Sequence, residues 1–336
     1  MKIHIFNRKA EPGRNSIEKV FDVIKKELVR SKKVVSTYEN PYGLGSLLKS
    51  LFYFRARQGD INHITGDIHW ACLFLDRNRT VLTIHDLVGI KNYDSYLKKR
   101  LYLLFWLYLP LWKLKYITVI SAKTRDEILQ YCPSAAGKIR VIPNPLTLDL
   151  FYRKLSGGSS TTPQILVVGT RENKNIDRII EATMDLRCII TILGALTSSQ
   201  LSRMSESHTE FISKSFITEI ELQNLYRSSD ILLFPSLYEG FGMPIIEAQA
   251  SGCAVITSSL KPMSEVAADA ALFVDPMDVA DIRNKINQLL SDSTLKNELV
   301  EKGYINAKKY VPAEICKQYL SLYEEMAKHN EFTLNH

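Results

Sequence analysis

Residues 235–252 read PSLYEGFGMPIIEAQASG and follow the apolar segment ILLF at residues 231–234. A short apolar run that ends at a proline is typical of a buried strand in a parallel sheet. Pro244 suits the first turn of a helix and Gly252 its end, which predicts a helix over Met243–Ser251. This pattern of strand, turn and helix favours an α/β fold with a ligand-binding loop at the carboxyl end of a strand.

Two glutamates flank the predicted turn. Glu239 lies in the turn and Glu247 in the first helical turns, so both carboxylates can reach the crevice outside the carboxyl edge of the sheet. Gly240 and Gly242 let the backbone approach a ligand, and the first helical N–H groups can bind an anion or a hydroxyl. Carboxylates accept hydrogen bonds from sugar or ribose hydroxyls. An ordinary turn with two solvent-facing glutamates also fits these residues, so the motif alone leaves both interpretations open.

Strand-like and helical segments alternate along the chain, which predicts doubly wound parallel sheets. In the first half the predicted strands are Lys2–Phe6, Lys33–Thr37, Ile61–Thr65, Thr80–Ile84, Tyr116–Ile120 and Ile139–Ile142. In the second half they are Gln164–Val168, Cys188–Leu193, Thr209–Ile212, Ile231–Phe234, Ala254–Thr257 and Ala271–Val274. The chain has 336 residues, which suits two domains better than one. Residues 155–163, LSGGSSTTP, have the composition of a linker between them.

The segment EGFGMPIIEAQASGCAVITS, in which seven residues separate Glu239 from Glu247, resembles the signature of the retaining nucleotide-sugar glycosyltransferases of family 4. Other segments resemble the same family in the same order, and together they cover about three quarters of the chain. These segments are Val81–Asp86, Tyr116–Phe151, Ile165–Ala182 and Ala270–Leu290. The resemblance implies the GT-B fold, with two Rossmann-like domains facing each other across a cleft.

The resemblance also implies what each domain does. Residues 1–154 form an N-terminal acceptor-binding domain, and residues 164–311 form a C-terminal domain that binds the nucleotide sugar. Residues 312–330 form a helix that crosses back to the N-terminal domain. The apolar residues of this last stretch recur on one helical face, as expected for such a helix.

The family resemblance assigns catalytic roles to Glu239 and His85. Glu239 contacts the donor sugar, and His85, at the end of a predicted strand and followed by Asp86, lies near the same sugar. Taken alone, His85 also fits a buried, hydrogen-bonded histidine. Glu239 is not assigned as a nucleophile, since a front-face attack, in which the leaving phosphate takes the proton of the acceptor, is the usual proposal for this family.

The remaining donor contacts follow from the same resemblance. Lys174 corresponds to the phosphate-binding lysine of the family, and Arg171 lies in the same loop after Gly169. By the same resemblance, Glu247 accepts hydrogen bonds from the ribose hydroxyls of the nucleotide. The predicted donor site also includes backbone N–H groups beside Glu239, which belong to Phe241, Gly242 and Met243. The family's glycine-rich turn after the first strand is replaced by AEPGRNS, residues 10–16, in which Gly13 is the one glycine left on the acceptor side.

Composition and charge restrict the function further. Hydrophobic residues make up 46% of the chain and charged residues 24%, which is ordinary for a globular protein. The five cysteines have no metal-binding spacing, and no Asp-x-Asp pair occurs, so we expect no metal and no other cofactor. The first six residues do not resemble a signal peptide, and with scattered cysteines this predicts a cytoplasmic location.

The basic residues are concentrated in the first half. Residues 1–150 contain 25 Lys and Arg against 13 Asp and Glu, whereas residues 151–336 contain 18 against 23. Within the basic half, residues 97–115 read LKKRLYLLFWLYLPLWKLK, too short an apolar run to span a bilayer. Two interpretations stay open: a core helix broken at Pro110, or a surface that contacts an anionic membrane through Trp106 and Trp112. Because no recognition module stands out, we expect no nucleic-acid partner.

The family resemblance implies a retaining glycosyltransferase, and the lack of an Asp-x-Asp pair or of metal-binding spacing predicts that it is metal-independent. Its partners would be a nucleotide-sugar donor and a glycan or lipid-linked acceptor, in surface polysaccharide or lipid-linked glycan assembly at the inner face of the cytoplasmic membrane. A nucleotide-sugar epimerase or a sugar phosphorylase on the same fold is a weaker alternative. A non-catalytic nucleotide-sugar sensor or scaffold is the alternative from another class of protein. Such a protein would need Lys174 and Glu247 to bind the nucleotide, but it would need neither Glu239 nor His85.

Overall fold

The structure is a computed structural model that describes residues 1–8, 16–42, 46–91, 95–149 and 162–334. The chain divides into two compact units. Unit 1 consists of Met1–Thr147 and Val311–His336, and unit 2 of Leu148–Tyr310. The predicted linker, residues 155–163, lies outside the described residues except for its last two, so the domain boundaries drawn from it stay predictions.

Unit 1 contains a six-stranded parallel sheet. Its strands are β1 (Lys2–Asn7), β2 (Val34–Glu39), β3 (Ile61–Ile64), β4 (Thr80–Ile84), β5 (Tyr116–Val119) and β6 (Ile139–Val141). Its helices are α1 (Ser16–Arg30), α2 (Leu47–Arg55), α3 (Val88–Lys91), α4 (Tyr96–Tyr102), α5 (Leu109–Lys113) and α6 (Ala122–Tyr131). The strand order is β2-β1-β3-β4-β5-β6, so the direction of winding reverses between β1 and β3.

Unit 2 repeats the plan with a second six-stranded parallel sheet. Its strands are β7 (Gln164–Val168), β8 (Ile189–Leu193), β9 (Glu210–Lys214), β10 (Ile231–Phe234), β11 (Ala254–Ser258) and β12 (Leu272–Val274). Its helices are α7 (Ile176–Thr183), α8 (Ser198–Ser205), α9 (Glu219–Ser228), α10 (Met243–Ser251), α11 (Met263–Ala267), α12 (Val279–Ser291) and α13 (Ser293–Ala307). The strand order is β12-β11-β10-β7-β8-β9, so the direction of winding reverses between β7 and β10.

The predicted secondary structure is largely confirmed. All twelve predicted strands are present, each within two residues of its predicted ends, and α10 covers Met243–Ser251 as predicted. Gly252 ends α10 with φ +79°, a left-handed conformation that favours glycine. Burial on both faces explains why the sheet strands read as apolar runs, since every residue of β3, β4, β5, β10 and β11 is buried.

The last helix of the chain, α14 (Pro312–Leu334), belongs to unit 1. Its buried residues pack with α1 and with the strands of the first sheet. They are Ile315, Cys316, Tyr319, Leu322, Tyr323 and Met326. A buried polar contact accompanies this packing, since the Tyr323 hydroxyl lies 2.6 Å from Nδ1 of His63, and Nε2 of His63 lies 2.7 Å from the Thr83 hydroxyl.

The predicted helix break at Pro110 is wrong. The chain is helical from Tyr96 to Lys113, with a π-helical segment at Leu103–Tyr108 between α4 and α5. Pro110 has no N–H to give to the carbonyl of Trp106, four residues earlier. Instead, Nδ1 of His69 lies 2.6 Å from that carbonyl oxygen and satisfies it, which lets the helix continue.

One side of this helical segment is buried and the other is exposed. Leu107, Pro110 and Leu111 are buried in unit 1. The exposed apolar residues recur at helical spacing along the other side. They are Leu97, Leu101, Leu104, Tyr108 and Trp112, and the last is 76% exposed. No helix among the described residues is long and apolar enough to cross a membrane.

The five cysteines are all free. Cys72, Cys188, Cys253 and Cys316 are buried, and Cys132 is half-buried. Burial raises the pKa of the Cys72 thiol to about 12 and that of Cys188 to about 11. These thiols are therefore protonated at neutral pH and behave as small apolar side chains.

Candidate active site

Two loops meet at the winding reversal of unit 2, outside the carboxyl ends of β7 and β10. The amide of Asn173, in the loop after β7, donates to the carbonyl oxygen of Tyr238 at 2.7 Å. The backbone N–H of Leu237, in the loop after β10, donates to the carbonyl oxygen of Asn173 at 2.8 Å. Ligands of open α/β sheets bind at such a reversal, so the hydrogen bonds of Asn173 fix the two walls of a candidate binding crevice.

Glu239 is held by groups from the loop after β7. Its Oε1 lies 2.6 Å from Nζ of Lys174 and accepts a hydrogen bond from the Asn173 amide at 3.1 Å. Both members of the ion pair are shielded, with 15% of the Lys174 side chain and 14% of Glu239 exposed. The structure thus brings together two of the predicted site residues, and it adds Asn173, which sequence reasoning missed.

Gly169 makes room for this lysine. It has φ +90°, and a Cβ atom there would lie 3.1 Å from Cε of Lys174. The aliphatic part of Lys174 therefore passes over the glycine, and its ammonium lies 4.3 Å from the centroid of the Phe234 ring. Arg171, predicted beside it, is exposed and begins the 3₁₀ turn Glu172–Lys174.

Gly242 is the N-cap residue just before α10, and its φ of +103° favours glycine. Phe241, just before it, is 4% exposed and packs edge-on against Tyr310 with ring centroids 5.8 Å apart. Met243 is half-buried at the first position of the helix. Packing of Phe241 thus fixes the start of α10, where helical N–H groups can meet a ligand.

Glu247 lies in α10 and is 7% exposed. Its Oε2 accepts a hydrogen bond of 2.7 Å from the hydroxyl of Tyr226, a residue of α9 that is fully buried. Burial and the Glu247 carboxylate raise the pKa of Tyr226 well above its usual range, so the hydroxyl stays a donor. Tyr226 is a second residue that the sequence motif does not reveal, because it lies 21 positions from Glu247.

His85 and Asp86 follow β4 in unit 1. Nε2 of His85 lies 2.9 Å from the carbonyl oxygen of Thr65 and must donate to it, which leaves the Nδ1 lone pair to accept. Burial lowers the pKa of His85 to about 4, so the ring is neutral at neutral pH. Asp86 is exposed, and its Oδ1 accepts from the N–H of Val88 at 2.9 Å. Gly13, the other predicted acceptor-side residue, lies outside the described residues.

Among the described residues, no group of three His, Cys, Asp or Glu side chains is arranged to hold a metal ion. The positive charge at the Glu239 crevice comes from Lys174 instead. The expectation of no cofactor stays a prediction.

Two families match the chain in succession. Residues 4–150 match the family described as Glycosyltransferase Family 4, and residues 151–306 match Glycosyl transferases group 1. The chain belongs to the group 1 and family 4 glycosyltransferases. This membership agrees with the predicted family signature.

Curated relatives are similar over part of their length. The O-antigen chain mannosyltransferase RfbU of Salmonella typhimurium is 29% identical over 63% of this chain and 61% of its own. The serotype-specific mannosyltransferase WbdA of Escherichia coli is 25% identical over 66% of this chain and 30% of its own. The matched region thus spans less than two thirds of either relative.

Solved structures show the same fold across almost the whole chain. The sucrose-phosphate synthase of Thermosynechococcus elongatus is 18% identical, with a TM-score of 0.75, and covers 97% of this chain and 99% of its own. HepE of Anabaena, in complex with UDP-glucose, is 16% identical, with a TM-score of 0.74, and covers 97% of this chain and all of its own. With the two parallel six-stranded sheets, these similarities establish the GT-B fold.

Proposed function

We propose that this glycosyltransferase-family chain moves a sugar from a nucleotide diphosphate sugar to an acceptor hydroxyl, in surface polysaccharide or lipid-linked glycan assembly. The observation that carries the proposal is the Lys174–Glu239 pair at the winding reversal of unit 2. An ammonium at this edge can neutralise a pyrophosphate, and a carboxylate beside it can accept hydrogen bonds from a sugar. The O-antigen chain mannosyltransferases among the relatives support the same class of acceptor.

We further propose that the reaction retains anomeric configuration and needs no metal. Glu239 is already balanced by Lys174 and bonded to Asn173, so it suits binding better than covalent attack. The leaving diphosphate would then take the proton of the acceptor. His85 has a lone pair at Nδ1 that suits a donor-sugar hydroxyl. Lys174 and the N-terminus of α10 supply positive charge for the diphosphate, and the UDP complexes of HepE are consistent with such a donor.

A donor panel tests the activity. The purified chain is incubated with UDP, GDP, dTDP and CMP sugars in the presence of EDTA, and release of the free nucleotide is followed alongside thermal shift. We expect one donor to stabilise the protein and to be hydrolysed slowly without metal. Transfer to a lipid-linked acceptor pool, with NMR of the anomeric carbon, then checks retention. Binding without turnover, even with that pool present, would instead identify a sensor or scaffold.

A membrane partner is supported by the exposed side of the 96–113 helical segment. The exposed stripe ends in Trp112, and basic side chains lie at both ends of the segment. They are Lys98, Lys99, Arg100 and Lys115. Apolar residues flanked by basic residues suit the surface of an anionic bilayer. We therefore propose that unit 1 contacts the inner face of the cytoplasmic membrane, where a lipid-linked acceptor would be presented.

Vesicle flotation tests this contact. The wild-type chain should float with phosphatidylglycerol vesicles and less with phosphatidylcholine vesicles. Trp112→Ala should reduce the bound fraction, because burying an aromatic side chain contributes about 1.5–3 kcal/mol. Phe216→Ala is the matched control, since Phe216 is a 99% exposed aromatic residue in unit 2. Equal flotation with both lipids, or equal losses in the two variants, would contradict the proposal.

A further inference from the structure

Asn175 joins three loops at the carboxyl edge of the second sheet. It lies in the loop after β7, directly after Lys174, and is 4% exposed. Its Nδ2 donates to the carbonyl oxygen of Pro235, in the loop after β10, at 3.1 Å. The same nitrogen donates to the carbonyl oxygen of Pro276, in the loop after β12, at 2.6 Å. One buried amide therefore connects the loop that carries Lys174 to two others.

The environment of this amide fixes its orientation. Pro235 and Pro276 are both buried, and a buried carbonyl oxygen needs a hydrogen-bond donor. On the other side, Nη1 of Arg178 lies 3.0 Å from Oδ1 of Asn175. Because a guanidinium has donors only, the amide oxygen must face Arg178, and both amide hydrogens are left for the two carbonyl oxygens.

The backbone of Asn175 explains why an asparagine suits this position. Its φ of +64° is left-handed, a conformation that glycine and asparagine tolerate best. Asn175 is also the N-cap residue of α7, yet its side chain reaches the two loops rather than the first N–H groups of the helix. It therefore does not have the usual role of an asparagine before a helix. Glycine would supply the backbone conformation but neither loop contact.

Two of the three joined loops carry the charged pair of the candidate site. Lys174 is the residue before Asn175, and Glu239 follows Pro235 in the loop after β10. Asn173 holds this second loop close to the glutamate, since its amide donates to Oε1 of Glu239. Asn175 holds the same loop where it leaves the strand. The 2.6 Å contact between the lysine and the glutamate thus depends on both asparagines.

We propose that Asn175 is a positioning residue of the donor site, which places the Lys174 ammonium by fixing the loop after β7 against the loops after β10 and β12. That this ammonium binds the diphosphate rests on the proposed function. Both amide hydrogens and the amide oxygen of Asn175 are used within the protein, so the residue acts through Lys174 rather than on the nucleotide.

Calorimetric titration with UDP and with GDP tests this role in a double-mutant cycle. Asn175→Gly keeps the left-handed conformation and removes the amide, so affinity for the tighter-binding nucleotide should fall about tenfold, or roughly 1.4 kcal/mol. In the Lys174→Ala background the same substitution should cost less than about twofold, because the group that it positions is already absent. Equal losses in the two backgrounds, or unchanged affinity in Asn175→Gly, would overturn the proposed role.

Thr209→Val separates positioning from stability. Thr209 is buried at the opposite end of α7, where its hydroxyl donates to the carbonyl oxygen of Thr183 at 2.8 Å. Its loss should lower the melting temperature, as in Asn175→Gly, but leave the nucleotide affinity unchanged. If Thr209→Val lowered the affinity as much as Asn175→Gly, both losses would reflect general stability, and the positioning role would be wrong.

Arg178→Met decides the outcome if Asn175→Gly does not fold. The half-buried Arg178 donates the hydrogen bond that orients the amide, so its loss should lower the nucleotide affinity about threefold. Arg203→Met controls for the lost charge, since Arg203 forms an ion pair with Asp177 of the same helix. Equal affinities in these two variants would contradict the proposal.

The wild-type chain separates this role from the proposed function. If neither UDP nor GDP bound to it, the donor site and the role of Asn175 would both be wrong. Binding without turnover in the donor panel would contradict the transferase function alone, because the titrations of the Asn175 and Arg178 variants need no turnover.

Discussion

Nζ of Lys174 lies 2.6 Å from Oε1 of Glu239 and, at the same time, 4.3 Å from the centroid of the Phe234 ring. The ammonium is thus held between a carboxylate and the electron-rich face of an aromatic ring, with little solvent around it. An incoming diphosphate carries more negative charge than the carboxylate. It can therefore compete for the ammonium and free Glu239 to accept hydrogen bonds from the sugar.

Replacing the lysine should weaken nucleotide binding. Lys174→Ala removes a charge-assisted contact to the diphosphate, and we expect the affinity for the selected nucleoside diphosphate to fall about 10- to 100-fold, or roughly 1.4–2.8 kcal/mol. Calorimetric titration measures this. Lys214→Ala removes an exposed lysine of the same unit and should leave the affinity unchanged. Equal affinities of the two variants for the nucleoside diphosphate would contradict the assignment of Lys174 to the donor site.

Replacing Glu239 should affect turnover more than binding. Glu239→Gln keeps an acceptor for the Asn173 amide but loses the charge, so we expect turnover to fall at least about 100-fold, or roughly 2.7 kcal/mol. Nucleoside diphosphate affinity should stay within about tenfold, or roughly 1.4 kcal/mol. Steady-state rates and titrations separate the two effects. Glu298→Gln, an exposed glutamate of α13, serves as the control. Full turnover in Glu239→Gln would contradict the assigned catalytic role.

Tyr226→Phe tests how Glu247 is positioned. The substitution leaves Oε2 of a buried carboxylate without its 2.7 Å partner, which costs about 1–3 kcal/mol of stability. Because the carboxylate then loses the hydroxyl that orients its Oε2, we expect nucleoside affinity to fall about tenfold as well, or roughly 1.4 kcal/mol. Thermal melting and titration measure the two losses. Tyr131→Phe, at a 38% exposed tyrosine, should change neither. A loss of stability without any loss of affinity would make Tyr226 purely structural.

His63 should make unit 1 sensitive to acid. Burial, with a smaller contribution from His85, lowers the pKa of His63 to about 3, whereas an unfolded histidine titrates near 6.5. The unfolded state therefore binds the extra proton first as pH falls. Stability that is complete above about pH 6.5 should be lost towards pH 3, at about 1.4 kcal/mol per pH unit for this residue. His85, with a pKa of about 4, adds a similar loss.

Tryptophan fluorescence can follow this loss, because the three tryptophans, Trp70, Trp106 and Trp112, all lie in unit 1. Urea unfolding of the wild type and of His63→Gln is compared at pH 7.5, 6 and 5. The variant should lose less stability than the wild type between pH 6 and 5, by about 1.4 kcal/mol. Parallel losses in the two proteins would show that His63 does not take up the proton.

Much of the fold could be predicted from the sequence because its information is local. Buried parallel strands read as short apolar runs, and α10 is bounded by Pro244 and Gly252, so the alternation of elements identifies the sheets. Lys174 and Glu239 were predicted as site residues because the segments that contain them resemble the motifs of the family, and their roles stay predictions. Their direct contact could not be predicted, since it joins residues 65 positions apart.

The residues that sequence reasoning missed make contacts between distant segments. Asn173 reaches the loop after β10, and Tyr226 reaches Glu247 from a neighbouring helix. The helix break at Pro110 was wrongly predicted for the same reason. Rules based on local sequence take into account that proline lacks an N–H. They do not reveal that His69, 41 positions before Pro110, bonds to the Trp106 carbonyl that this N–H would have met.

The return of α14 to unit 1 has a consequence for synthesis on the ribosome. Unit 2 is one continuous stretch of chain, whereas unit 1 obtains part of its core from residues made after the whole of unit 2. Translation adds about 5–20 residues per second. Tyr319 and Tyr323 therefore emerge on the order of ten seconds or more after the strands of the first sheet. During that interval His63 lacks its tyrosine partner and the apolar face that α14 later covers is open. The nascent first half is therefore the part of this chain most in need of a chaperone.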